Sequence, residues 1–171
     1  ISAAYNVNVI QQYYQQVHGR SSYDGSGTLA DAYVHQLDGG RPMANAYWDG
    51  TAMRIGDGDG STADNLAVLD VFAHEYTHAV TDYTCDLVYA NESGALNESF
   101  SDIFAVCAEF YGQPDDGASY PATHAGQADW LMGEDCWLSA PALRDMRNPA
   151  NAATVGTAGR QPTRYKGSFW Y

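Results

Sequence analysis

Positive charge is scarce in this sequence. The 171 residues hold 8 Lys and Arg against 21 Asp and Glu, a formal net charge of −13. Such a balance repels nucleic acids and anionic membranes, which are polyanions, so neither is an expected partner. It is compatible with bound cations, which formal counting leaves out. Long apolar runs are also missing: nothing reaches the roughly 18 apolar residues that would span a bilayer. No charged leader followed by an apolar run opens the chain, so a secreted protein would have lost its signal earlier. Cysteine is sparse and odd in number. Of Cys85, Cys107 and Cys136, at least one is free or pairs outside the chain, and one internal disulfide stays open. Charged residues make up only 17%, whereas apolar residues make up 45%, with 13 Tyr and 4 Trp. That supplies a core and argues against disorder. The length suits one compact domain, or one and a half small ones.

Periodicity divides the chain into elements. Val7, Ile10, Tyr14 and Val17 share a helical spacing within 1–17, and Gly19 is placed to end that helix. A short β-prone run follows at Ala32-Tyr33-Val34. Residues 44–55 alternate small, aromatic and polar side chains and read as one edge strand, closed by the tight turn Gly56-Asp57-Gly58-Asp59-Gly60. Leu66, Leu69, Phe72, Ala73 and Val80 predict a helix over 66–83 without Gly or Pro. A loop over 84–94 leads to a second helix over 95–111, stopped by Gly112, Gln113 and Pro114. From Asp115 to Tyr171 the sequence is turn-rich. The fold class is α+β, with the strands near the start.

The chemistry gathers on the two helices. His74 and His78 are four residues apart, so they stack on one helix face and their nitrogens can converge on one ion about 2.0–2.1 Å away. Glu75, one residue round, lies beside such an ion and suits a general base acting on water. Two imidazoles leave a zinc ion under-ligated. On the second helix Glu98 can complete a His₂Glu set with an open position. Asp102, one turn on, then holds an imidazole in its ligating tautomer. The short pattern His74-Glu75-Tyr76-Thr77-His78 also arises by chance as a solvated helix face. A face with two His, two carboxylates and no Lys or Arg, however, is costly to bury without a cation.

With these residues in hand, the chain resembles the thermolysin family, whose third zinc ligand is a Glu about twenty residues after the second His. Here Glu98 follows His78 by 20. The resemblance extends to Asn45-Ala46-Tyr47-Trp48, to the glycine–aspartate turn at 56–60, to 73–83, to Asn91-Glu92-Ser93-Gly94-Ala95-Leu96-Asn97-Glu98, and to Leu143-Arg144-Asp145-Met146 with Asn148-Pro149. It implies a zincin-like catalytic core of the thermolysin fold: a zinc endopeptidase acting on peptides and proteins outside the cell. By it, His74, His78 and Glu98 bind zinc, Glu75 takes the proton from water, Asp102 orients His74, and Tyr89 helps stabilise the oxyanion. Asn45, Ala46 and Trp48 would hold the substrate backbone as an added strand. Arg144 would bind a substrate carbonyl. Val71 and Leu143 would line a pocket for a large apolar residue just after the cleaved bond, and Met132 and Cys136 would occupy further pocket positions. Structural calcium is implied at Asp70, Glu109, Asp129 and Glu134, with the carbonyl of Leu131, a donor set that suits a hard cation.

The resemblance also implies more chain than 1–171. A β-rich segment is expected before Ile1 and a helical domain after Tyr171, the latter supplying a His that works with Tyr89. The expectation is one central domain, incomplete at both ends and held to a second polypeptide fragment. The alternative is a non-catalytic peptide-binding fragment stabilised by zinc and calcium; Glu75, which no structural zinc site requires, speaks against it. An esterase-like zinc hydrolase and a nucleophilic cysteine enzyme stand further back, since Asn45 and the edge strand suit a peptide and no cysteine has a predicted His partner.

Overall fold

A helix of mixed aromatic and polar residues opens the fold. In this computed structural model, which describes residues 3–113, 126–157 and 159–170, α1 (Ala3–His18) buries Asn6, Val9, Ile10, Tyr13 and Tyr14. The buried stripe is therefore rotated from the predicted one. Asn6 donates to the Ala67 carbonyl at 3.0 Å and lies inside, whereas Val17 is exposed. The Tyr14 hydroxyl meets Thr77 Oγ1 at 2.7 Å, which fixes α1 against the central helix. Gly19, at φ 65°, ends α1 as expected.

The strands form a four-stranded sheet in the order β2-β1-β4-β3, from β1 (Asp31–Asp38), β2 (Arg41–Pro42), β3 (Ala46–Trp48) and β4 (Ala52–Gly56). β1 runs parallel to β4, and β3 runs antiparallel to it. The predicted single strand over 44–55 is thus a hairpin. Asp49 makes the turn: its Oδ1 accepts from the backbone N–H of Thr51 and of Ala52, both at 2.8 Å, and Gly50 takes φ 92°, where a Cβ is disfavoured. β3 lies at the sheet edge, with one side paired to β4.

α2 (Leu69–Asp82) is the centre of the core, with Phe72, Ala73 and Tyr76 inaccessible to solvent. It begins three residues later than predicted because Asn65 Oδ1 accepts from Ala67 N–H and Val68 stays extended. α3 (Asn91–Gly112) begins four residues earlier than predicted. Gly94 reads as a breaker in sequence. Here it lets the helix turn close against the loop, since a Cβ would come 3.2 Å from the Tyr89 carbonyl carbon. Of the predicted stop, Pro114 lies outside the described residues, as do residues 115–125 of the turn-rich stretch.

Beyond these, β5 (Leu131–Met132) pairs antiparallel with β6 (Arg144–Asp145). Asp64 N–H bonds the Cys136 carbonyl at 2.8 Å, which docks this segment on the main body. α4 (Ala152–Val155) is a single turn capped by the Asn151 side chain. All three cysteines are free, so no internal disulfide forms. One apolar cluster joins α1, the sheet, α2, α3, Met132 and Cys136. No described helix is long and apolar enough to cross a membrane.

Candidate metal centre and substrate cleft

α2 and α3 pack face to face and bring His74, His78 and Glu98 together. One ligand atom from each lies within 4.8 Å of the others. His74 Nε2 and His78 Nε2 are 3.0 Å apart, and the Glu98 oxygens stand 3.2 Å from His74 and 3.3 Å from His78. The opposite ring nitrogens are already engaged. His74 Nδ1 meets Asp102 Oδ1 at 2.8 Å, and His78 Nδ1 meets Asn97 Oδ1 at 2.7 Å. Both partners are acceptors, so each ring donates from Nδ1 and turns the Nε2 lone pair toward its neighbour. Two lone pairs and a carboxylate pointed at one spot repel unless a cation or a proton sits among them. Nitrogen and oxygen donors in this number fit zinc.

The charges follow the same logic. Burial works to lower the His74 pKa, but Asp102 and Glu98 outweigh it and raise it to about 9. Burial works to raise Glu98, but its hydrogen bonds to both imidazoles hold it well below the usual carboxylate range. Burial raises Glu75, opposed by the charges of His74 and His78. Glu75 is 6% exposed and lines the cleft beside His74 and His78. Burial also raises the Tyr89 phenol, and its hydrogen bond to Glu98 Oε1 adds to the shift.

A cavity of about 670 Å³ opens over this centre. Asn45, with Ala46 and Trp48 of β3, forms one wall. Val71, Met132, Leu143 and Arg144 also line it, as does Tyr89. Apart from Cys136, the residues expected to touch substrate line the cleft. Arg144 is already engaged: Nε donates to Asp102 Oδ2 and Nη2 donates to Oδ1 at 2.7 Å. Cys136 does not reach the cavity wall. It is buried behind it, with Sγ 3.5 Å from the Gly133 carbonyl. Two residues given no role from sequence join the centre: Asn97, and Ser101, whose Oγ is 3.2 Å from His78 Nδ1. Both lie on α3 within one turn of Glu98, a signal available in the spacing.

At the N-terminal end of α2, Asp70 stands among the acids expected to hold calcium, close enough for their charges to act on one another. Burial and the charges of Asp70, Glu134 and Asp129 push Glu109 up to about 11. Burial and Asp70 push Glu134 up to about 9, and burial raises Asp70 to about 6. Among the described residues, Glu109 Oε2 and both Glu134 oxygens are buried without a hydrogen-bond partner. Asp70 is held by the N–H of Gly133 and of Val71. Asp129 accepts from Leu131 N–H at 2.6 Å. Asp135, absent from the sequence expectation, joins the group and accepts from Gly126 N–H at 3.0 Å. Orphaned buried carboxylate oxygens of this kind fit a hard divalent cation.

Comparison with known proteins gives one answer. Residues 1–82 match the family model described as thermolysin metallopeptidase, catalytic domain. Residues 85–171 match the one described as thermolysin metallopeptidase, alpha-helical domain. The two matches meet in the loop between α2 and α3. A thermolysin from Alicyclobacillus acidocaldarius subsp. acidocaldarius is 42% identical over 172 residues, 98% of this chain and 28% of that protein. The neutral protease NprE of Bacillus pumilus is 39% identical over 166 residues, 96% of this chain and 46% of that protein. Among solved structures, the precursor of protealysin, a metalloproteinase from Serratia proteamaculans, superposes with a TM-score of 0.76 at 31% identity, covering 95% of this chain and 48% of that one. The chain therefore spans less than half the length of these relatives.

Proposed function

This chain belongs to the thermolysin metallopeptidase family, and from that premise we propose that it carries the metal centre and base of a zinc-dependent endopeptidase cleaving before large apolar residues. The observation that carries the reading is the convergence of His74, His78 and Glu98, with the buried Glu75 beside them.

Zinc held by these three residues would polarise the scissile carbonyl and make its water more acidic. The remaining work falls to the chain. β3 offers a free edge, so an extended peptide can add as a strand, with the Ala46 carbonyl and the Asn45 side chain holding its backbone. Val71, Met132 and Leu143 receive the apolar side chain that follows the scissile bond. Glu75, pushed up by burial, takes a proton from water and returns it to the leaving nitrogen. Tyr89 and Arg144 are the donors nearest the developing oxyanion and the substrate carbonyl.

Calcium in the Asp70–Glu109–Asp129–Glu134 cluster, with the Leu131 carbonyl, would brace the back of the site. A complementary helical fragment is the proposed partner. Leu96, Phe100 and Ile103 form a spaced apolar stripe on α3 that stays exposed and awaits cover. Family membership supports a place outside the cell.

Glu75→Gln tests the base. It should keep zinc content and lose about 10²–10⁴ in kcat on a peptide substrate. Undiminished cleavage by that variant would remove Glu75 from the mechanism.

A further inference from the structure

Val71, His74, Glu75, His78 and Asp82 all reach the cleft from α2. Val71, His74, His78 and Asp82 follow one another in steps of three and four residues, with Glu75 one residue round, and at 1.5 Å per residue the row is about 16 Å long. The zinc ligands stand in its middle. Val71 marks one end. Met132 joins it there, because Asp70 binds the next residue's N–H at Gly133, and Leu143 N–H bonds the Met132 carbonyl. Asp82 marks the other end. Asp86 joins it from the loop after α2, its own N–H bonded to the Thr81 carbonyl at 2.8 Å. The cleft is apolar at one end and anionic at the other.

No described residue of the cleft wall neutralises the anionic end. Asp82 Oδ2 accepts the Trp48 indole N–H at 2.7 Å, a neutral donor that leaves the charge in place. Asp86 has no ion pair or side-chain hydrogen bond among the described residues. The one Arg or Lys on the cleft wall, Arg144, is bound to Asp102. Glu75 and Glu98 belong to the metal centre. The charge presented to a substrate beyond His78 is therefore that of Asp82 and Asp86.

On the endopeptidase reading, the apolar end takes the residue after the scissile bond, so the anionic end faces the residues before it. We propose that Asp82 and Asp86 form a subsite selecting a lysine or arginine side chain on the N-terminal side of the cleaved bond. Along the helix axis Asp82 lies about 9 Å from the midpoint of the two histidines. An extended peptide rises about 3.3 Å per residue, so the cation sits within the three residues that precede the bond. Both acids are exposed, so the attraction is screened and the preference is graded rather than absolute.

The test uses the zinc-loaded full-length protein. Peptides of one sequence carry Leu after the scissile bond and Lys, Gln or Glu in turn at each of the three preceding positions. At one of these positions Lys should exceed Gln about two- to tenfold in kcat/KM, and Glu should fall below Gln. The Lys-to-Gln ratio should drop toward one in roughly 1 M salt, where the Debye length is near 3 Å. It should also drop in Asp82→Asn and Asp86→Asn; Asn tolerates the φ of 45° at position 86 as Asp does. Equal kcat/KM for all three residues at all three positions overturns the subsite and leaves the endopeptidase reading standing. A ratio unchanged in both variants overturns it too. No cleavage of any peptide at saturating zinc sinks the endopeptidase reading itself.

Discussion

His74 and Arg144 are joined through one carboxylate: Asp102 Oδ1 accepts from His74 Nδ1 at 2.8 Å and from Arg144 Nη2 at 2.7 Å. His74 from α2 and Arg144 from β6 are thereby set by a single residue of α3. Asp102→Asn keeps the shape and removes the charge. It should weaken zinc binding about 10–100-fold, as loss of a ligand's hydrogen-bond partner does elsewhere. It should also raise KM for peptides, because Arg144 loses its anchor. A zinc titration against a competing chelator reads the first effect and steady-state kinetics the second. Wild-type zinc affinity in this variant would mean that His74 is oriented by something other than Asp102.

Asn97 does for His78 what Asp102 does for His74, without a charge. Asn97→Ala leaves His78 Nδ1 with Ser101 Oγ alone at 3.2 Å. Zinc affinity should fall about tenfold or more, while Asn97→Asp, which restores an acceptor, should recover most of it. The same titration decides. Failure of Asp to rescue would show that the contribution of Asn97 lies in its bond to the Leu87 carbonyl, at 3.4 Å, rather than in the imidazole.

How much of this was legible in the sequence depends on how local the cause is. His74, Glu75 and His78 follow from spacing on one helix, and Glu98 and Asp102 from spacing on the next; all five fall where expected. The hairpin at 46–56 was hidden because Asp49 turns the chain through side-chain bonds that alternation does not report. The start of α3 was hidden because Gly94 signals a break, whereas its missing Cβ permits close approach. Asn97 and Asp135 act across elements, on His78 and on the acid cluster, and only the packing of α2 on α3 and on the 129–135 segment shows what they face.

The acid cluster makes stability depend on pH in opposite senses with and without calcium. In the metal-free protein Asp70, Glu134 and Glu109 have folded pKa values raised to about 6, 9 and 11. A raised folded value means that their contribution is fully present below the ordinary carboxylate range near pH 4 and is lost as pH climbs through the folded values. With EGTA, the melting temperature should therefore fall between about pH 5 and pH 9. With millimolar calcium the carboxylates are held ionised, and the fall should vanish or reverse. Glu109→Gln should raise the metal-free melting temperature at pH 8 and lower the calcium-loaded one. Thermal melts across pH test all three outcomes. A pH-independent melting temperature in EGTA would mean that these acids are not crowded in solution.

Zinc binding should release a proton at neutral pH. Asp102 and Glu98 overcome the effect of burial and raise His74 to about 9, so the metal-free protein should hold His74 protonated at pH 7. That proton stabilises the metal-free fold at low pH, with the effect lost as pH rises through about 9. It also occupies the lone pair that zinc must use, so proton and metal compete for one site. Apparent zinc affinity should rise about tenfold per pH unit from pH 7 to 8 and flatten near 9. Calorimetry in two buffers of different ionisation heat should count about one proton released per zinc at pH 7. Asp102→Asn removes the first of the groups that raise His74, so the same count in that variant should drop toward zero even as the affinity falls. A release of one proton unchanged by Asp102→Asn would place the titrating group on another residue of the centre.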